Sequence, residues 1–400
     1  MNIRANRLTF VATLLLCLRA GVPVLVGAEP RQTAWGELTV LEPRDASGGY
    51  LAKIAATPAS GRWDLPADLQ PVIFARQTAQ SQPVYLPLVF ESETGALAVA
   101  NSAESKLQAG ATFTLGYAAT TEQLPDGTWL LPAQTAQVLG TTAKLETTGS
   151  HHRIGFWTQP RDEVAWKFTA TRWGRYDVKI TYSRAEPKTA LARLQLDGQE
   201  LRIPLPTTES WYQYATIPVG SVYIKGEGPQ ELRIIPQELA GSALMNLKAV
   251  FLQPAFESDE RIVTAQDGTL TLPARSARIH GTKLRYEPKP EKNTLGYWTQ
   301  TGEGATWEFT VDQPGKYTVE VLQGCGTGQG GSTMEIQGVA GTQPLTFIVA
   351  ETGHFQKFVP RQVGQIEFNS GGIKTLAVVA SKIAHAAACD IREIRLLPLK

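Results

Sequence analysis

The chain repeats itself at the scale of a whole domain. Asp126-Gly127-Thr128, followed by Leu131-Pro132-Ala133, returns as Asp267-Gly268-Thr269 followed by Leu272-Pro273-Ala274. Gly155-Phe156-Trp157-Thr158-Gln159 returns as Gly296-Tyr297-Trp298-Thr299-Gln300. Trp166, Phe168, Gly174, Tyr176 and Val178 return as Trp307, Phe309, Gly315, Tyr317 and Val319, and every pair is offset by 141 residues. That period lies far above the roughly 20 to 50 residues of solenoid and propeller units, so the duplicated unit is a domain with its own core. Further on, Trp211, Tyr214, Val219 and Gly220 correspond to Phe355, Phe358, Val363 and Gly364, and Asn246-Leu247 to Asp390-Ile391, now at an offset of 144. The second copy has gained about three residues, which the Gly-rich run Gly324 to Gly331 is placed to absorb as a surface loop.

The fold class follows from the period of the side chains. Trp166-Lys167-Phe168-Thr169, Tyr176 to Tyr182, Thr306 to Val311, Tyr317 to Val321 and Leu232-Arg233-Ile234 alternate apolar with polar. Turn signals such as Asp197-Gly198, Pro314-Gly315 and Gly371-Gly372 separate such runs, while helical periodicity is scarce. Strands with one buried face, punctuated this way, predict an all-β protein with two tandem jelly-roll β-sandwiches. Their spans are 126–254 and 267–400, each close to the usual size of a single core. Polar linkers rich in Asp, Glu, Gln and Thr run over 119–127 and 255–268. Residues 29–120 form a third unit without a copy. Its alternating runs at Glu37 to Leu41, Pro71 to Ala75, Val84 to Phe90, Ala96 to Val99 and Thr112 to Tyr117 predict a smaller β-domain of unknown type.

Residues 1–28 read as a secretory signal peptide. Arg4 and Arg7 precede the apolar run Leu8 to Leu18, and the small residues Val26-Gly27-Ala28 lead to cleavage before Glu29. Arg19 interrupts the apolar run short of the roughly 20 residues a spanning helix needs. Lipidation at Cys17 is a lesser alternative, because Leu16 is bulky where a lipobox takes a small residue. The expected location is secreted or periplasmic, with no membrane span. Cleavage leaves Cys325 and Cys389, an even count that predicts one disulfide in an oxidising compartment, two buried thiols being the alternative. With 38 basic against 37 acidic residues and no basic block, nothing attracts nucleic acid or anionic lipid.

The repeated residues resemble the β-sandwich carbohydrate-binding modules of families six and thirty-five, within the galactose-binding-domain-like jelly rolls. Those modules carry a Gly-Tyr, a Trp on a strand about ten residues on, and a Gly-x-Tyr opening the next strand. The matches are Gly155-Phe156, Trp166 and Gly174-Arg175-Tyr176, then Gly296-Tyr297, Trp307 and Gly315-Lys316-Tyr317. A later aromatic-x-x-aromatic matches Trp211 to Tyr214 and Phe355 to Phe358. The family Asn that opens the last strand is Asn246 here, whereas the second copy has Asp390. The second copy, with Leu322 to Gly326 and Thr352 to Phe355, also resembles domains appended to secreted sulfatases and glycosidases of planctomycete-type bacteria.

The resemblance implies a ligand cleft between loops at one end of each sandwich. A pyranose packs its C–H face on a flat ring and needs fixed polar partners for its hydroxyls. Carried over by position, the first copy offers Phe156, Trp211 and Asn246, and the second Tyr297, Phe355 and Asp390. Trp157, Trp166, Trp298 and Trp307 are better placed in the core, and Trp211, following a polar run, fits either role. The structural calcium common in those families is not expected. Gln134 and Arg275 follow the first-strand Pro-Ala, and Lys248 and Arg392 hold the late position where calcium needs oxygen ligands. No cofactor is implied.

Catalysis finds no support. His151, His152, His280, His354 and His385 lack metal-ligand spacing, and there is no nucleophile elbow, phosphate loop or paired-Cys metal motif. His151-His152 reads as a solvated loop. The expectation is a secreted, non-catalytic carbohydrate-binding protein acting beside polysaccharide-degrading enzymes, with a polysaccharide or glycan, and secreted hydrolases or sulfatases, as its partners. The alternative is a surface or scaffold protein whose sandwiches bind other proteins.

Overall fold

The computed structural model describes residues 30–41, 47–77, 84–102, 105–338 and 344–399. The expected leader lies outside them. The described chain is all-β, interrupted by two 3-10 turns, Ala133–Thr135 and Ala274–Ser276, which are equivalent positions of the two copies. No helix of the described residues is long and apolar enough to cross a membrane.

Each copy is two facing antiparallel sheets. In the first copy one sheet carries Trp129–Pro132, Asn246–Pro254, Gly174–Ser183 and Gln213–Ile224 side by side, and the hairpin of Lys144–Thr148 and His151–Gly155 attaches to Asn246–Pro254. The other runs Gln137–Leu139, Glu163–Ala170, Gly228–Glu238, Ala190–Leu196, Gln199–Leu205. The second copy repeats both orders, with Asp390–Pro398 and Gly315–Cys325 central in one sheet and Gly304–Val311 beside Gly372–Lys382 in the other. Asn246 and Asp390 open their strands as the repeat implied. Registry refines the insertion: Leu194 pairs Ile234 as Ile336 pairs Val378, and Leu194 pairs Leu201 as Ile336 pairs Leu345. One extra residue therefore precedes Ile336 and two fall in the hairpin after it, rather than all three in the Gly-rich run.

The cores form where the alternation pointed inward. Trp157, Trp166, Trp298 and Trp307 are at most 1 % exposed. Each of these four indole N–H groups finds a backbone carbonyl. Trp157 donates to Asp162 (2.7 Å) and Trp298 to Glu303 (2.9 Å). Trp166 donates to Pro132 (2.9 Å) and Trp307 to Pro273 (2.8 Å). The acidic side chains beside the first pair also match. Asp162 accepts the N–H groups of Thr141, Thr142 and Ala143, and Glu303 those of Thr282, Lys283 and Leu284. A core hydrogen-bond plan has thus been copied with the fold.

The N-terminal unit is a six-stranded sheet over a three-stranded one. Sequence alternation found six of its strands, in five runs, and missed Ser47–Ile54 and the short Arg31–Thr33 and Arg62–Asp64. The predicted run from Val84 to Phe90 is broken at Pro87, which has no N–H to give a ladder, into Val84–Leu86 and Leu88–Glu91. Leu88–Glu91 then pairs with the start of Gln213–Ile224 through Val89 opposite Gln213 and Leu88 opposite Tyr214. The sheet of the first sandwich therefore runs on into the N-terminal unit.

The linkers are structured. Glu122–Gln123 pairs with Trp129–Pro132, and Phe256 and Thr264 bridge to Arg278 and Leu270. Between the sandwiches, Arg172 is 1 % exposed and donates to the carbonyls of Gly281 (3.0 Å) and Ile279 (3.3 Å). Gly127, at φ +90°, lets the Asp126-Gly127 turn press on the second sandwich, where any side chain would strike the Gly281 carbonyl at 2.6 Å.

Candidate functional site

The first copy assembles its three expected residues at one end of the sandwich. Gly155 ends the hairpin, and Phe156 turns out of it at φ +55°, a left-handed conformation that costs a non-glycine residue on the order of 1–3 kcal/mol. Its ring is 53 % exposed. The exposed Lys144, opposite Gly155 in the hairpin, lays its Nζ 4.0 Å from the ring centroid. A Cβ on Gly155 would lie 2.4 Å from Glu146 and 2.9 Å from the Asn246 Oδ1, so the bare glycine lets both polar groups close in beside Phe156. The Asn246 Nδ2 donates to the Trp211 carbonyl (2.8 Å), which also accepts from the Ser183 hydroxyl (2.7 Å). Asn246 is largely buried and Trp211 half-buried. Part of the amide expected to face ligand is therefore engaged in fixing the Trp211 loop.

Glu146 pairs with Arg153 (2.8 Å), and Arg153 lies 5.5 Å from the Tyr212 ring. Behind them Lys248 is buried with its Nζ 5.2 Å from the Tyr214 ring; burial, then the charge of Arg153, brings its amine down to about 7. His151 corrects the solvated-loop reading. It is 3 % exposed, its ring stacks on Phe90 of the N-terminal unit (3.8 Å, 23°), and its Nε2 lies 3.0 Å from the Tyr214 hydroxyl. Burial holds its pKa far below the ordinary imidazole value.

The second copy also gathers its three residues, in a different setting. Tyr297 has φ +60° and is 45 % exposed. Glu287 and Asp390 approach Gly296 as Glu146 and Asn246 approach Gly155, at 2.5 and 3.3 Å from a Cβ there. Glu287 pairs with Lys292, whereas Asp390 accepts from the Gln356 amide at 3.4 Å. Burial first, then the neighbouring Glu287, lifts the Asp390 carboxyl to about 7. The Phe355 ring packs on Gly326. The cation over the aromatic ring is Arg285, 3.8 Å from Tyr297. It is 2 % exposed, because Trp173 of the first sandwich covers its other face at 4.3 Å and Glu227 of the first sandwich pairs with it. Trp173 also meets the edge of Tyr297 and donates its indole N–H to the Tyr286 carbonyl (2.7 Å).

Cations stand where family calcium ligands would. Lys248 is buried as described, and Arg392 donates to the carbonyls of Glu291 and Lys292 (both 2.8 Å) and lies 3.9 Å from the Phe358 ring. Those positions do not fit a calcium ion. Among the described residues no group of three or more His, Cys, Asp or Glu is placed to hold a metal.

The expected disulfide is corrected. Cys325 and Cys389 are free, buried thiols, although the antiparallel Gly324–Asp390 pair puts them opposite one another at the next position. The Cys325 Sγ lies 3.8 Å from the Ala388 carbonyl, and burial raises both thiols. The first copy explains the site. There Arg184 occupies the place of Cys325, fully buried, and its guanidinium reaches the carbonyls of Ala243 (2.5 Å), Leu244 (2.6 Å), Leu239 (2.9 Å), Lys188 (3.0 Å) and Ala240 (3.0 Å). In both copies a Thr closes the neighbouring loop onto this residue: Thr208 to Arg184 and Thr352 to Cys325, each Oγ1 accepting the N–H at 2.8 Å. The thiols fill space that an arginine fills in the other copy.

No protein-family model and no curated protein match the chain. Solved structures do. A family 35 carbohydrate-binding module from Clostridium thermocellum aligns with 31 % of this chain and 96 % of its own length, at 14 % identity and TM-score 0.28. A CBM35 from Cellvibrio japonicus aligns with 31 % of this chain and 91 % of its own, at 20 % identity and TM-score 0.27. A Paenibacillus xanthan lyase aligns with 93 % of this chain but 34 % of its own length, at 14 % identity and TM-score 0.32. Identities and scores are low, so what the site can do is read from its own residues.

Sequence reading missed Tyr212, Arg153, Glu146 and Lys144 at the first site and Arg285 and Trp173 at the second. The one signal available was position: Lys144 and Glu146 recur as Arg285 and Glu287 at the repeat's own offset of 141.

Proposed function

We propose that this chain is a secreted, non-catalytic glycan-binding protein whose working site is the cleft end of the first sandwich, around Phe156, Trp211 and Asn246. The observation that carries this reading is the pair Phe156 and Tyr297. Two equivalent aromatic residues sit on left-handed backbone, each about half exposed. Neither the strain nor the exposure serves stability, and both have been kept through duplication. A flat exposed ring beside buried polar groups suits a sugar's C–H face and hydroxyl edge. In the second copy the first sandwich packs Trp173 and Glu227 onto Arg285 beside the matching ring, so the first copy is the more open of the two ends.

Affinity electrophoresis in gels of soluble polysaccharides tests the assignment. Phe156→Ala and Trp211→Ala each remove a ring worth about 1–3 kcal/mol in contact with a sugar, and each abolishes retention of a weakly bound chain. Unchanged retention of either variant on every polysaccharide that holds the wild type removes that residue from the site.

A further inference from the structure

Resting on the glycan reading of the first sandwich, we propose that the site extends past Phe156 to a second aromatic platform at Tyr212, buttressed by the N-terminal unit, and so takes a polysaccharide chain rather than a lone terminal sugar. The hairpin registry lays out the track. Lys144 is opposite Gly155 and Glu146 opposite Arg153, so these four residues share one face. Lys144 lies over the Phe156 ring at one end, and Arg153 over the Tyr212 ring at the other. The two pairs are two residues apart, about 7 Å along the strands, so a pyranose on Phe156 leaves Tyr212 uncovered.

Tyr212 is 38 % exposed although it stands next to the domain junction. Its carbonyl accepts the N–H of Phe90 (2.9 Å), and its ring lies 6.0 Å from the buried Phe90 ring. The next residues enter the strand that Leu88–Glu91 extends. An exposed ring is thus fixed by a neighbouring domain, between which and Phe156 the Glu146–Arg153 pair supplies hydroxyl partners. In the second copy the equivalent positions are Gln356 for Tyr212 and Thr294 for Arg153, so the track belongs to the first copy alone.

The test uses the full chain. Gels of xylan, galactomannan and homogalacturonan identify a retained polysaccharide, and calorimetry follows with its monosaccharide and tetrasaccharide. The wild type is expected to bind the tetrasaccharide more tightly. Tyr212→Ala, and Tyr212→Gln as the residue the second copy tolerates, should weaken the tetrasaccharide about tenfold and leave the monosaccharide unchanged. Wild-type tetrasaccharide affinity in both variants, or equal loss on both ligands, overturns the track. Phe156→Ala reports separately: it should weaken both ligands, and if it weakens neither, the underlying glycan reading fails at that ring. No retention of the wild type in any gel overturns both.

Discussion

The two sandwiches share a frame to the level of single hydrogen bonds, yet the cation over the matching ring is exposed in one and buried in the other. In both, a cation from one hairpin strand covers an aromatic ring held on left-handed backbone. In the first it is Lys144, exposed and on a flexible stem. In the second it is Arg285, buried between Trp173 and Tyr297 and paired with Glu227. What differs is the neighbour: the N-terminal unit props the Trp211 loop of the first copy from the side, whereas the first sandwich packs Trp173 and Glu227 onto the cation beside the ring of the second. Duplication copies a site's parts, and domain packing decides whether they remain accessible. The arginine suits the closed version because its planar, weakly hydrated head stacks between two rings where an ammonium would not.

The sharpest contrast inside the frame is Arg184 against Cys325. Replacing Arg184 by Met leaves five carbonyls around residues 188 and 239–244 without their donor. The expected loss is at least about 3 kcal/mol in the first sandwich, read as faster hydrogen exchange there with the second sandwich unchanged. Cys325→Ala should cost about 1 kcal/mol, since it removes only a small buried group. Thiol labelling of the native protein should find neither cysteine, and denaturation should release two. An Arg184→Met chain as stable as wild type would mean the two copies hold their loops by the same means after all.

Asp162 and Glu303 test whether a copied hydrogen-bond plan is also copied in energy. Burial alone would raise the Asp162 carboxyl, but the N–H groups of residues 141–143 and the Thr142 hydroxyl outweigh it and hold the pKa at about 2. The group's folded pKa is depressed, so its stabilisation is present above the ordinary aspartate value near 3.8 and is lost as pH falls through about 2. The depression corresponds to about 2 kcal/mol. Asp162→Asn should therefore be less stable than wild type by about that amount at pH 6, and the gap should narrow on titration toward pH 2. A gap that does not depend on pH would show that the carboxylate's charge is not what ties the loop.

Much of this was legible in the sequence because the signals were local or repeated. Period-two runs gave the strands, the recurring Trp157 and Trp166 gave the core, and Gly155-Phe156 gave the exposed ring. Arg184, Trp173 and Tyr212 were not legible. Each acts through backbone carbonyls or a neighbouring domain, and neither partner leaves a pattern in the chain. His151 was misread for the same reason, since its burial comes from Phe90 in another unit. The cysteines misled because strand adjacency brings two thiols together without requiring a bond.

The smallest expected effect bears most directly on open against closed. Trp173→Ala removes one wall of the Arg285 sandwich and the hydrogen bond to the Tyr286 carbonyl, while Glu227 still pairs with Arg285. A cation–π contact of this kind contributes about 1 kcal/mol, so the fold should survive with slightly lower stability. The readout is hydroxyl-radical footprinting of the two rings in one sample. Labelling of Tyr297 should rise about twofold as Arg285 gains freedom to swing away, on the Boltzmann scale of a loss somewhat under 1 kcal/mol. Phe156 should be unchanged, because among the described residues no hydrogen bond, ion pair or ring contact joins its cover, Lys144, to the second sandwich. If Tyr297 labelling stays at the wild-type level, Arg285 closes the ring without help from the first sandwich. The difference between the copies would then reside in the Lys144-to-Arg285 exchange itself, and not in how the domains are packed.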